Sequence, residues 1–188
     1  MNKKIIALAG NPNVGKSTVF NGLTGMHQHT GNWPGKTVTN ARGHVQYKDA
    51  AFEFIDLPGA YSLKSSSPDE MVTAGYIASG EADIILIIVD ATCLERNLLL
   101  ARDILAVTGN AILCVNLMDE AEKKGIEVDM EKLERLVGIP VVPMAARSRE
   151  GLDKLLEVIL NYAPGKKSPI HIEPSYIYKR CVSTKSTE

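Results

Sequence analysis

The sequence predicts an α/β fold, a mainly parallel sheet of about six strands with one antiparallel strand and helices on both faces. Three observations predict it. Short β-branched runs alternate with helix-length amphipathic stretches, the pattern of a parallel sheet covered by helices. The first apolar run, Ile5-Ile6-Ala7-Leu8-Ala9, leads directly into Gly10-Asn11-Pro12-Asn13-Val14-Gly15-Lys16-Ser17 and then a helix-like stretch. Two later apolar runs end in Asp56-Leu57-Pro58-Gly59 and Asn116-Leu117-Met118-Asp119. Polar motifs thus gather at strand carboxyl ends, where open α/β sheets bind ligands.

Taken in order, strands are expected at 4–9, 51–56, 82–90, 111–116 and 140–144. A weaker one near 43–48 would pair antiparallel with 51–56 across the turn Lys48-Asp49-Ala50. Helices are expected near 16–25, 68–79, 94–107, 129–137 and 151–162. Pro68-Asp69-Glu70 and Asp129-Met130-Glu131 put proline or acidic residues at helix starts, where the dipole favours them. Segment 26–42 has no periodicity and holds Gly31, Trp33, Pro34 and Gly35, so it reads as a long functional loop. After Tyr162 the pattern fails. Residues 163–188 are rich in Pro, Ser, Thr and Lys and are expected to be irregular.

At 188 residues the chain is long enough for one such domain and a modest tail. A formal net charge of −1 argues against a nucleic-acid partner, whose footprint is a strongly basic domain. Cys93, Cys114 and Cys181 are too widely spaced for a disulfide framework or a metal cluster. Cys114, inside an apolar run, reads as a buried small hydrophobe. His27 and His29 lack a third ligand at suitable spacing and read as solvated loop histidines rather than a metal site. The longest apolar stretch, 82–89, is about half a membrane span. With no signal peptide at its start, the chain as it stands is expected in the cytoplasm.

The Gly10–Ser17 pattern is that of a phosphate-binding loop. Its glycines allow a tight turn, so consecutive N–H groups and the next helix N-terminus point at one anion. Residues Gly10, Asn11, Pro12, Asn13, Val14, Gly15, Lys16, Ser17 and Thr18 are expected to line a nucleotide site. Lys16 would reach the β- and γ-phosphates, and the Ser17 hydroxyl a Mg²⁺. Asp56 would hold the same Mg²⁺, and Gly59 would offer an N–H to the γ-phosphate, with Leu57 and Pro58 shaping the turn. Taken alone, Asp56-Leu57-Pro58-Gly59 is also a plausible tight turn.

Asn116-Leu117-Met118-Asp119 is the clue to the base. A carboxylate at Asp119 would accept two hydrogen bonds from guanine, and adenine has no such donor pair. The rival reading makes Asp119 a helix N-cap. Leu117 stands where a lysine stem often covers the base, which implies a looser clamp. Ala145-Ala146-Arg147 occupies the place of a loop that sets a backbone N–H on guanine O6. Thr37, beside Gly35 and Lys36, is the preferred switch threonine for Mg²⁺ and γ-phosphate, with Thr30 and Thr39 as rivals. Trp33 would anchor that loop by packing. Ala60 stands where many GTPases carry a water-orienting glutamine, so unaided hydrolysis is expected to be slow. Asn13 either binds a monovalent cation against the phosphates or only stiffens its own loop.

Together these motifs define a P-loop GTPase fold. Gly10 to Ser17, Gly31-Asn32-Trp33-Pro34-Gly35, Asp56 to Leu63 and Asp90-Ala91-Thr92-Cys93-Leu94-Glu95-Arg96-Asn97-Leu98 resemble the cytosolic G-domain of the bacterial ferrous iron transport protein B family. The likeness runs from about residue 3 to residue 162. It implies a GTP-hydrolysing switch domain that drives or regulates Fe²⁺ uptake, cycling between GTP and GDP with Mg²⁺. It also implies K⁺ stimulation with Asn13 as the cation ligand. Its implied partners are a membrane permease domain of the same transporter and small Feo accessory proteins, at the cytoplasmic face of the membrane in a full-length protein. Lys16, Asn13, Thr37 and Gly59 are then the catalytic set. Lys36 and Ala145 depart from the family pattern. The expected organisation is a G-domain at 1–164 and an irregular tail at 165–188, either the start of a helical domain or non-native. Two rival readings remain: a non-hydrolysing nucleotide-binding signalling module, and a free-standing GTPase acting on ribosomes or tRNA.

Overall fold

Period-two alternation splits each central strand between two helix layers. A computed structural model describes residues 3–25, 28–33, 39–64, 67–165 and 167–185, with the backbone alone at 28–32 and 39–40. The chain runs β1 (Lys4–Gly10), α1 (Lys16–Thr24), β2 (Gln28–Asn32), β3 (Thr39–Tyr47), β4 (Ala50–Asp56), α2 (Pro68–Ser79), β5 (Ile84–Asp90) and α3 (Leu94–Leu105). It continues through β6 (Ala111–Asn116), α4 (Met118–Lys123), β7 (Ile126–Val128), α5 (Met130–Val137), β8 (Val141–Pro143), α6 (Leu152–Asn161), α7 (Pro174–Cys181) and β9 (Val182–Thr184). From β1, Ile6 and Leu8 enter one core with Phe20 of α1 and Leu155 of α6. Ala7 and Ala9 enter the other, with Ile77 of α2, Leu98 of α3 and Leu133 of α5. β5 divides in the same way, Leu86 and Ile88 to the first core and Ile85 and Ile87 to the second. Such two-sided burial requires the near-continuous apolar runs seen in the sequence.

Among the described residues the main sheet has the order β2-β3-β4-β1-β5-β6-β8. β4, β1, β5, β6 and β8 are parallel; β3 runs antiparallel to β4 and to β2. β3 is thus the one strand of opposite direction, as expected, and β2 is an added edge. The chain builds β3 and β4 on one side of β1, then returns to build β5, β6 and β8 on the other. The loop after β1 therefore sits where the strand order reverses, the place such sheets bind ligands.

Two expectations are corrected. Segment 26–42 is not a loop throughout: β2 pairs with β3 from Gln28↔Gly43 to Asn32↔Thr39. Its polar residues show no alternation because an edge hairpin forms through backbone pairing. The tail is not irregular throughout: 163–165 and 167–173 form no helix or strand, but α7 buries Ile177 and Cys181 in the second core, and β9 pairs antiparallel with β7. Ile170 N–H donates to Leu105 O at 2.7 Å, and Asp129 N–H to Cys181 O at 2.8 Å. The i, i+4 pair Ile177–Cys181 is the amphipathic signal that the polar composition concealed. Two short elements, α4 and β7, were also not anticipated.

Ile177 is 2% exposed. Ile177→Ala should lower unfolding free energy by about 2–5 kcal/mol in urea titrations, the usual cost of a truncated core aliphatic. A surface helix would show almost none. Glu53 supplies a pH test. Burial would raise its carboxyl, but Lys3 at 2.6 Å and Arg42 at 3.5 Å hold it below its ordinary value. A lowered folded pKa gives stability that is present above the unfolded value, about 4.3, and lost as pH falls through the folded one. Glu53→Gln should therefore reduce the urea midpoint at neutral pH, with the two proteins converging as pH falls through the folded value.

Candidate nucleotide site

β1 delivers the loop. Gly10 lies beside Ile88 of β5, and a Cβ there would fall 2.7 Å from the Ile88 carbonyl oxygen, so only glycine fits. Asn13 and Gly15 take left-handed conformations, φ 67° and 81°, with Val14 buried between them. Asparagine tolerates that region better than most residues, which supplies a backbone reason for Asn13 whatever else it does. Gly15 caps α1 without any side-chain hydrogen bond, and the first turn has no acidic residue. The N–H groups at the helix start are left to an anion. Asn11, Pro12, Asn13, Lys16, Ser17 and Gly59 line a cleft of about 560 Å³ at this point.

β4 brings the second motif alongside. Lys16 Nζ forms an ion pair with Asp56 Oδ1, both side chains mostly shielded. Leu57 N–H donates to Leu8 O at 3.0 Å, and Ala60 N–H to Gly10 O at 3.1 Å. Gly59 packs on Pro12, where an added Cβ would lie 3.3 Å from the ring. Ala60 is 1% exposed, so its side chain faces the core rather than the cleft.

β6 ends in Asn116, 1% exposed. Its Nδ2 donates to Val14 O at 2.9 Å and its Oδ1 accepts from Ala146 N–H at 3.0 Å, joining the phosphate loop to the loop after β8. Ala145 N–H is likewise engaged, to Glu150 O at 3.1 Å. The backbone N–H groups of Ala145 and Ala146 are thus both bonded within the protein. Leu117 has φ 62° and caps α4, so Asp119 falls in the first turn of that helix and is not its N-cap. Asp119 and Met144 border a second cleft of about 790 Å³, lined also by Cys181 and Ser183 of the C-terminal segment.

Thr37, Gly35 and Lys36 lie outside the described residues, as does His27. Thr30 and Thr39 both belong to the β2–β3 ladder. Trp33 is buried, with its ring edge-on to Tyr76 of α2 at 5.2 Å. Cys114 is fully buried, and burial pushes its thiol up. Among the described residues no group of three or more His, Cys, Asp or Glu could hold a metal. That leaves the Ser17 hydroxyl and Asp56 carboxylate, hard oxygen donors that suit Mg²⁺ completed by phosphate and water.

Sequence reasoning missed the supports of the second motif. Thr73 donates its hydroxyl to Pro58 O at 2.8 Å, and Glu70 accepts from Tyr61 N–H at 2.8 Å and Ser62 N–H at 3.3 Å. Ser67 caps α2 and bonds Glu70 in return, at 2.8 Å. The spacing Ser67-x-x-Glu70 is the capping-box pattern and was legible. Asp103 of α3, which accepts from Ser62 Oγ at 2.8 Å, carried no such signal.

A phosphate-type cradle at the strand-order reversal, with Asp56 closing β4, Asn116 closing β6 and Asp119 in the first turn of α4, defines a domain of the P-loop GTPase fold. Comparison with known proteins is more specific: residues 4–159 match FeoB_N, Ferrous iron transport protein B, and the chain belongs to that family. It is 40% identical over 166 residues to the Fe(2+) transporter FeoB of Escherichia coli (strain K12), covering 86% of this chain and 22% of that protein. The chain thus spans about a fifth of the length of the curated relatives it matches. The apo cytosolic domain of the T. maritima FeoB iron transporter superposes with a TM-score of 0.86 at 40% identity, covering 92% of this chain and 68% of that one. A mutant S. thermophilus NFeoB bound to GDP gives 0.83 at 37% identity, covering 90% and 65%.

Asn116→Ala removes both bridging bonds and leaves Val14 O and Ala146 N–H buried and unpaired. The expected loss is about 1–3 kcal/mol per unpaired group, read as a lower denaturation midpoint in the absence of nucleotide.

Proposed function

We propose that this chain is the GTP-hydrolysing switch domain of a ferrous iron transporter, binding GTP and GDP and coupling their exchange and hydrolysis to Fe²⁺ uptake. The observation that carries the reading is the double bridge of Asn116, which joins a phosphate cradle to a base loop beside Asp119. GDP in the similar S. thermophilus domain supports it.

Each residue then has a task. The N–H groups from Asn13 to Thr18 cradle the phosphates, and Lys16 leaves Asp56 for the β- and γ-oxygens. Ser17, Asp56 and Thr37 would hold Mg²⁺ and Asn13 would hold K⁺, cations that would supply positive charge against the phosphates. Gly59 donates its N–H to the γ-phosphate, with its turn kept in place by Pro12 and Thr73. Asp119 selects guanine, and Ala146 N–H shares its bond to Asn116 with the base oxygen. Ala60 gives the attacking water nothing. Catalysis therefore rests on positioning and electrostatics rather than on a side-chain base. The partners are the permease domain of the same transporter and small Feo accessory proteins, with the domain at the cytoplasmic membrane face. Fe²⁺ is cargo of the permease.

Single-turnover GTP hydrolysis in KCl and in NaCl, each with Mg²⁺, tests the reading. Turnover should be at least about tenfold faster in K⁺, and Asn13→Ala should erase the difference. Equal background rates in both salts with GTP binding intact would favour the rival that the buried Ala60 keeps open, a module signalling by occupancy alone. Asp119→Ala should cost about 100-fold or more in the preference for GTP over ATP, measured by competition against a fluorescent nucleotide.

A further inference from the structure

α2 grips the nucleotide-sensing turn and the edge hairpin from one face. Glu70, Thr73 and Tyr76 stand at steps of three residues, which places them on the same side of a helix. Glu70 holds the backbone at Tyr61 and Ser62. Thr73, fully buried, holds the Pro58 carbonyl inside the Asp56–Gly59 turn. Tyr76 meets Trp33 edge-on, the planes at 63°. Trp33 follows β2 directly, so this last contact ties the end of the hairpin to the same helix.

The three grips differ in kind. Those of Glu70 and Thr73 are directional hydrogen bonds. The third is held by shape alone: both rings are buried, yet the indole N–H of Trp33 and the hydroxyl of Tyr76 have no partner among the described residues. Buried polar groups are nearly always paired; here, repacking the contact would break no protein hydrogen bond of either group among the described residues. A contact with two such atoms resists repacking least.

We infer that Thr73 is a positioning residue that links the Pro58-Gly59 turn through α2 to Trp33, so that the Trp33–Tyr76 contact repacks between the diphosphate and triphosphate states. This rests on the reading of the domain as a guanine-nucleotide switch. Closure of Gly59 on a γ-phosphate draws the Pro58 carbonyl with it. The Thr73 hydroxyl follows that carbonyl, α2 moves as a rigid rod, and Tyr76, about one turn further along, carries the displacement to the indole.

Trp33 is the only tryptophan of the chain, so emission excited selectively at the indole reports the surroundings of Trp33, this contact included. The full chain is loaded, with Mg²⁺ and K⁺, with GDP or with a non-hydrolysable GTP analogue, and the two emission spectra are compared. Wild type should show a difference between the two. Thr73→Val should shrink it at least about twofold by removing the bond to Pro58, and Thr73→Ser, which keeps the hydroxyl, should restore it. Tyr76→Leu, which fills the site without a ring, should also abolish the difference and serves if Thr73→Val does not fold. Identical wild-type spectra while a fluorescent GDP binds, or a full-sized difference in Thr73→Val or Tyr76→Leu, overturns this inference alone. Failure of fluorescent GDP to bind at all overturns the nucleotide reading and this inference with it.

Discussion

The site depends on one buried amide. Asn116 sits at the end of β6 and satisfies a carbonyl of the phosphate loop with one atom and an N–H of the loop after β8 with the other. Aspartate would lack the donor, and a longer side chain would not fit beside Gly15, where even a Cβ would come within 2.4 Å of Asn116 Nδ2. The glycine and the asparagine are therefore one requirement stated twice. Losing either would unlink the loop after β1 from the loop after β8. Low local dielectric strengthens both bonds, because water has no access to compete for either.

Around that clip the backbone carries strain. Asn13 and Leu117 hold positive φ without being glycine, each costing about 1–2 kcal/mol. Leu117 is the more expensive, since its side chain has no polar group to soften the cost. It is held there by what surrounds it: Glu120 and Ala121 N–H groups donate to its carbonyl, and the following Met118 N–H donates to Met144 O. The parallel strands, with Leu86, Ile87 and Cys114 fully buried, supply the apolar burial that keeps such conformations populated. Placing the strained residues at strand ends leaves the ladder itself undisturbed.

How far the sequence could be read follows from which forces write themselves into it. Strands buried on both faces must be apolar throughout, so 111–116 was legible to the residue. The phosphate loop was legible because its glycines answer to steric limits that no other residue meets. β2 was not, because backbone pairing at an edge asks little of side chains. Nor was α7: the average composition of 163–188 hid Ile172, Ile177 and Cys181, which matter only by position. At the site, Asp56 and Asp119 were legible as motifs. Thr73 and Asp103 were not, since a threonine or aspartate that supports a loop from across the fold has no fixed spacing to the loop it supports.

The ion pair of Lys16 and Asp56 carries the last step of the argument. Both side chains are mostly shielded, at 11% and 16% exposure, so each charge needs a partner close by. A phosphate arriving alone would take Lys16 and leave Asp56 facing another negative group. A divalent cation arriving alone would take Asp56 and strand the ammonium beside it. Uncompensated shielded charge is expensive, by several kcal/mol in drier settings. A nucleotide arriving with Mg²⁺ would substitute for both partners at once and leave neither charge unpaired. The pair thus does more than fill the site. On the proposed reading, it would make the two halves of a magnesium nucleotide mutually dependent ligands, next to the Asp56–Gly59 turn that follows β4.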